Sequence, residues 1–262
     1  MTGTLQIADL EKMAPSIFAK HGAPNVSPNY KFIPTIDTVE AMMSAGFYPV
    51  SAQETRSRKA EKQGHTKHLL RFRKEGLVEV GGLIPEIVLL NSHDGSTSYQ
   101  LRGGVYRMVC SNGLIVGDDI FLKKVRHQGD INNNILLACN EILEAFPSTL
   151  ETAQRWSSIE VSLGIQLQFA EKASKMKWQD QIKIRSDDLL RARRQADMQD
   201  NLWTLLNRVQ ENIIRGGISY IAHDEQGNPY RQRTRRINSV QENVRVNTQL
   251  WNLTKELEEV LV

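Results

Sequence analysis

Near Asp130 the hydrophobic pattern of this 262-residue chain changes period, and that change constrains the fold more than any other feature. Before it, short apolar runs alternate with turn signals. Beyond it, apolar residues recur at steps of three and four and the turn signals thin out. The pattern predicts an α+β protein, with an antiparallel sheet and a short helix in the N-terminal half, from about Pro34 to His127, and a mainly helical C-terminal half. The expected division is a sheet domain over residues 1–130 and a helical region over 131–262 that packs on it, either as a second domain or as part of one continuous domain.

Within the first half, Pro34 to Glu40 reads as a helix start, with Asp37 as cap and Glu40 reaching back, and Gly46 and Pro49 as stops. His65 to Lys74 alternates Lys67, Leu69, Arg71 and Arg73 on one face with His68, Leu70 and Phe72 on the other, which predicts a strand with a cationic outer face. Glu86 to Leu90 is an apolar strand that ends at the Asp94-Gly95 turn, with Ser98 to Arg102 as its hairpin partner. Val105 to Cys110 and Leu114 to Val116 flank Asn112-Gly113 as a second hairpin, and Phe121 to Arg126 adds a strand. In the second half, Ile131 to Phe146 predicts a helix that Pro147 ends. Ser148 to Glu151 forms a capping box for a long helix striped by Trp156, Ile159, Leu163, Leu167, Ala170 and Ala173. Leu202 to Ile213 marks a further helix stopped by Gly216-Gly217, and Val246 to Val260 marks the last.

Charge is segregated along the chain. Overall it is +3, but Glu54 to Glu75 carries eight basic residues against three acids, and Glu225 to Arg245 carries five arginines against two acids. Islands of +5 and +3 therefore stand against −5 for the remainder, the footprint of a protein that attracts polyanions. Lys67, Arg71 and Arg73, with Arg107, Lys123, Lys124 and Arg126 on later strands, can track a phosphate backbone, while Phe72, Tyr99 and Tyr106 offer rings for base stacking or for the core. Arg233, Arg235 and Arg236 form a second basic contact.

Several chemistries find no support. Two cysteines, Cys110 and Cys139, in a chain with 40% hydrophobic residues exclude a disulfide scaffold and predict reduced thiols. No apolar run reaches the roughly 20 residues that cross a bilayer, and Met1 to Leu10 lacks the pattern of a signal peptide, so the cytoplasm is the expected location and no membrane partner is expected. The glycine pairs Gly81-Gly82 and Gly103-Gly104 make neither a dinucleotide fingerprint nor a phosphate loop, and no Gly-x-Ser-x-Gly elbow occurs. No cofactor or catalytic residue is expected. A metal site would have to gather His65, His93, Asp94 and His127 from separate turns, and Asp118, Asp119 and Asp130 are dispersed.

The strings His65-Thr-Lys-His-Leu-Leu-Arg-Phe-Arg73, Pro85-Glu-Ile-Val-Leu-Leu-Asn-Ser-His-Asp-Gly95, Val109-Cys-Ser-Asn-Gly-Leu114 and His127-Gln-Gly-Asp130, with Trp203 and Gln210 to Gly217, resemble a family carried on bacterial prophages and plasmids. This is a domain of unknown function that includes the enterobacterial YafZ and YfjQ proteins. The resemblance implies a mobile-element origin and supplies no catalytic residue. The order of elements, with basic residues on the sheet, is also similar in pattern to Rad52-type single-strand annealing proteins, which need no cofactor and commonly work as oligomeric rings. The expected function is therefore binding of single-stranded DNA, extended to strand annealing in recombination or maintenance of a mobile element, by a homo-oligomer. The alternatives are a protein–protein effector, such as an anti-defence factor that binds a host protein, and a metal-dependent nuclease.

Overall fold

A computed structural model of the chain describes residues 3–24, 26, 27, 30, 32–77, 83–107, 113–115, 122–124, 131–179 and 181–262. These form two compact units, Met1–Pro147 with Ser239–Gln241, and Ser148–Asn238 with Glu242–Val262. The fold class is α+β, with the strands of the first unit in one antiparallel sheet and the second unit mainly helical.

In the first unit, helices α1 (Ile7–Met13) and α2 (Thr35–Ser44) precede strands β1 (Phe47–Glu54), β2 (His68–Lys74), β3 (Leu83–Asn91) and β4 (Gln100–Arg107). These pair in the order β1-β2-β3-β4, each with its sequence neighbour. Two three-residue strands, β5 (Gly113–Ile115) and β6 (Leu122–Lys124), share the outer edge of β4, at Gly104 to Tyr106 and at Gln100 to Arg102. The register places Leu70, Phe72, Ile87, Leu89 and Leu101 on one face, and all are buried. Thr35 at the start of α2 reaches His68 and Asn91 on that same face, so α2 lies over it. Val39 and Met42, one helical step apart on α2, are fully buried there.

The local boundaries differ from the sequence pattern in instructive ways. Helix α2 starts at Thr35 with Pro34 as its cap, so Asp37 sits inside the first turn. There its charge meets the positive end of the helix dipole rather than closing a capping box. The chain between β3 and β4 is an eight-residue loop, not a tight hairpin. Gly95 has φ +72°, while Asp94 accepts from the Ser96 amide (3.0 Å) and Ser92 accepts from the Thr97 amide (3.0 Å). Side chains thus replace the backbone ladder over the loop. The second hairpin expected within Val105 to Val116 is present: β5 pairs antiparallel with the end of β4, Val105 opposite Leu114, and residues 108–112 between them lie outside the described set.

Helix α3 (Ile131–Ser158) continues through Pro147. A proline deletes one helical donor, which weakens a helix without ending it when the turns on both sides are already formed. The break falls instead at 159–162, where the backbone finds other partners: the Val161 amide donates to the Asp200 carbonyl (2.8 Å) and the Leu202 amide to the Ile159 carbonyl (2.9 Å). The predicted single stripe is therefore divided between α3 and α4 (Leu163–Trp178).

The second unit is organised on α6 (Leu202–Arg215), in which every residue from Leu202 to Ile214 is buried. Asn201 caps it by accepting from the Thr204 amide (2.9 Å), and Gly216 ends it. Trp156 of α3 stacks obliquely on Trp251 of α7 (Val240–Leu261) at 4.6 Å and faces Trp203 of α6 at 6.4 Å, forming an aromatic core. The short helix α5 (Ser186–Leu190) and a hairpin that the pattern did not predict, β7 (Ser219–His223) with β8 (Pro229–Arg233), complete the unit. Among the described residues no helix is long and apolar enough to cross a membrane.

Candidate nucleic-acid interface

The basic residues of the sheet are largely engaged. Arg71 is only 8% exposed, and its Nη1 donates to Glu86 Oε2 at 3.0 Å. Arg73 meets the other oxygen of the same carboxylate through Nε and Nη2, both at 2.9 Å. Glu86, on β3, is itself buried. The expected cationic outer face is thus an ion triad in which Arg71 and Glu86 are buried and Arg73 is half-buried, and its neighbours Leu69 and Val88 are buried as well. Lys67 Nζ donates to Gln241 Oε1 (2.6 Å), and Lys123 pairs with Glu141 (2.7 Å). Arg107 holds the last position of β4, but its side chain, with Arg126 and Cys110, lies outside the described residues, as does that of Tyr106. Phe72 and Tyr99 are core residues at 0% exposure.

Two of the histidines, His68 and His93, belong to a buried polar hub. Thr35 Oγ1 lies 2.9 Å from His68 Nε2 and 3.1 Å from His93 Nε2, and it accepts from Asn91 Nδ2 (3.0 Å) and the Tyr99 hydroxyl (3.2 Å). Ser16 Oγ lies 2.9 Å from His68 Nδ1. Burial holds the His68 imidazole neutral, with its pKa lowered to about 3, and the neighbouring His93 ring adds to the effect. Burial also pushes the Tyr99 hydroxyl up to about 12. Asp94 is held by Lys62 (3.1 Å) and by Ser96, and His127 with Asp118, Asp119 and Asp130 lies outside the described residues. Among the described residues no group of three or more His, Cys, Asp or Glu side chains is placed to hold a metal ion.

An open cationic surface lies in the second unit. A cleft of about 1600 Å³ lies between the segment 181–193, the end of α6 and the β7–β8 hairpin. The first wall contributes Lys183, Arg185, Arg191 and Arg193, the helix end Arg215, and the hairpin Arg231 and Arg233; Asp188 is the single carboxylate among the lining residues. Three of these cations have partners: Arg193 donates to Asn212 Oδ1 (2.7 Å) and the Gly216 carbonyl (3.3 Å), Arg215 meets Glu211 (3.0 Å), and Arg185 meets Asp187 (3.2 Å). Lys183, Arg191, Arg231 and Arg233 are exposed and make no ion pair among the described residues. Ile182 and Ile221 add apolar surface between them, and Ile221 is 58% exposed.

The end of α6 positions both walls. Asn212, buried in its last turn, donates through Nδ2 to the carbonyls of Leu189 (2.8 Å) and Arg191 (2.9 Å), fixing the first wall. Gly216 has φ +64°, and a Cβ there would lie 2.6 Å from the carbonyl carbon of Arg235. Only glycine lets the chain leaving β8 pass so close to the helix end. The hairpin is then tied down by hydrogen bonds from the Gly217 amide to the Thr234 carbonyl and from the Thr234 amide to the Ile218 carbonyl, both 2.8 Å. At its tip Asp224 accepts from the Asn228 side chain (3.1 Å) and from the amides of Asn228 (2.8 Å) and Gln226 (3.0 Å), and these bonds, the side-chain one first, lower its pKa.

Of the residues expected to bind nucleic acid, Arg233 therefore lines the cleft, and Arg235 and Arg236 follow it as exposed side chains. Arg71, Arg73, Lys67 and Lys123 are not among its lining residues. Lys183, Arg185, Arg191, Arg193 and Arg215 are the cleft cations that the charge pattern did not single out. A signal existed: Lys183 to Arg194 holds five basic residues against two acids. It was diluted by Asp187-Asp188 and by the apolar Leu189-Leu190 at the centre of the window.

Fold and cleft together define a two-unit α+β protein with a cationic groove. The chain belongs to the family described as Domain of unknown function (DUF932), whose pattern matches residues 23–251. It is 34% identical over 250 residues to the UPF0380 protein YfjQ of Escherichia coli (strain K12), covering 95% of this chain and 90% of that protein. The UPF0380 protein YafZ of the same organism gives the same identity and coverage. No solved structure matches the chain. None of these descriptions specifies a ligand or a reaction.

Proposed function

We propose that the protein binds single-stranded DNA, with the cleft of the second unit as the principal contact. The observation that carries this reading is the set of four cations, Lys183, Arg191, Arg231 and Arg233, that face a cleft of about 1600 Å³ without an ion pair among the described residues. Cations already held by carboxylates have little to gain from a phosphate, whereas unpaired ones release counterions when it binds. Arg235 and Arg236 extend the path beyond the hairpin. Apolar surface between the cations favours a strand with exposed base faces over a duplex. Strand annealing, in recombination or maintenance of a mobile element, is the extension that the element order and the prophage-type sequence strings support.

The test is fluorescence anisotropy with an oligothymidylate of about 20 nucleotides across a salt series. Four phosphate contacts on a single strand give a slope of about −3 for log affinity against log salt. Replacing Lys183, Arg191, Arg231 and Arg233 together by Ala should abolish binding at low salt. No binding by the wild-type protein at about 50 mM salt, or a slope unchanged in the quadruple variant, would overturn the reading. A protein partner with an acidic segment is the competing occupant, and polyglutamate bound as tightly as oligothymidylate would favour it.

A further inference from the structure

Resting on that reading, we infer that Ile221 is a base-contacting platform, and that the ligand of the cleft is an unpaired strand lying bases inward rather than a polyanion in general. Ile221 stands directly opposite Arg231 in the hairpin, and Ser219, two residues earlier, stands opposite Arg233. Because side chains alternate along a strand, Ile221, Arg231 and Arg233 share one face of the hairpin. Ile221 lines the cleft and is 58% exposed. A ligand that covers it gains the free energy of removing its apolar surface from water.

The geometry assigns the parts of a nucleotide. A base resting on Ile221 has its phosphate within the reach of an adjacent arginine, since cross-strand neighbours sit about 5 Å apart at Cβ and a guanidinium extends well beyond that. In a duplex both faces of each base are stacked on neighbouring bases, so only the backbone would be presented and Ile221 would stay wet. Inorganic polyphosphate satisfies the arginines and leaves Ile221 equally wet. The two probes therefore separate charge recognition from base recognition.

The experiment compares wild-type protein, Ile221→Ser and Ile221→Phe on oligothymidylate, a blunt duplex and inorganic polyphosphate. Ile221→Ser should weaken oligothymidylate binding about five- to ten-fold, the loss of roughly half the burial of an Ile side chain. Ile221→Phe, which offers a larger flat surface, should strengthen it. Polyphosphate and duplex affinities should stay within about two-fold in both variants. Tyr230, 46% exposed on the opposite hairpin face and outside the lining of the cleft, serves as control, and Tyr230→Ala should change none of them. Equal weakening of all three ligands by Ile221→Ser, or no change with any, overturns the inference while leaving single-strand binding standing. Failure of the wild-type protein to bind any probe overturns both.

Discussion

The two units carry the same short motif with opposite fates. In β2, Arg71-Phe-Arg73 sets two guanidiniums two residues apart on one face of an antiparallel strand, and in β8, Arg231-Gln-Arg233 does the same. The neighbouring strand decides what becomes of them. Beside β2, β3 supplies the buried Glu86, whose two oxygens hold both arginines. Beside β8, β7 supplies Ser219 and Ile221, which offer no charge, so Arg231 and Arg233 stay exposed and face a cleft. An arginine pair on a strand is held within the protein or left open to solvent according to whether its cross-strand neighbour is a carboxylate.

The sharpest way to break this comparison is to remove that carboxylate. Glu86→Ala removes the buried carboxylate that both guanidiniums share and should cost about 3–5 kcal/mol in urea unfolding. Arg231→Ala with Arg233→Ala should change stability by less than about 0.5 kcal/mol while weakening single-strand binding. Similar stability losses in the two variants would show that the pairs are not different in kind.

Acid should also separate the units. The depressed pKa of His68 means that the folded first unit keeps the imidazole neutral while an unfolded chain protonates it from about pH 6.5 downward. Its contribution to stability is complete above pH 6.5 and is lost as the pH falls toward the folded value of about 3. Between pH 6.5 and 4.5 the loss is roughly 2–3 kcal/mol. The second unit holds one histidine, His223, which is exposed. Amide hydrogen exchange over this range should accelerate in β2 and β3 and leave α6 unchanged, and His68→Gln should remove most of the pH dependence.

A smaller effect is expected at the wall of the cleft. Asn212→Ala removes the hydrogen bonds to the Leu189 and Arg191 carbonyls and to Arg193, at a cost of about 1–3 kcal/mol. The freed segment 189–193 should exchange faster, and oligothymidylate binding should weaken although no cation has been deleted. Unchanged binding in a folded Asn212→Ala protein would show that the wall needs no positioning.

Much of the fold was legible because it rests on local rules. Alternation in His65 to Lys74 placed β2, the Asp-Gly pair placed a turn, and Gly216-Gly217 marked the end of α6. Pro147 misled because a proline inside a helix is a matter of cost rather than prohibition, and the actual break at 159–162 depends on a backbone partner some 40 residues away. The β7–β8 hairpin was hidden by its composition: apart from Ile221 and the tyrosines its residues are polar or small, so it carries little hydrophobic signal. The candidate site was half visible, through Arg233, Arg235 and Arg236.

By itself the sequence determined the α+β class, the antiparallel strands before Asp130, the helices after it and the family, since periodicity, turn residues and long shared strings are properties of neighbouring residues. Which cations remain available was decided only by the tertiary structure. The charge of Arg71 is written in the sequence, but its neutralisation depends on Glu86, fifteen residues away in another strand. The cleft likewise exists only because folding brings Lys183 and Arg191 opposite Arg231 and Arg233. Electrostatic interaction falls off with distance in space and takes no account of distance along the chain.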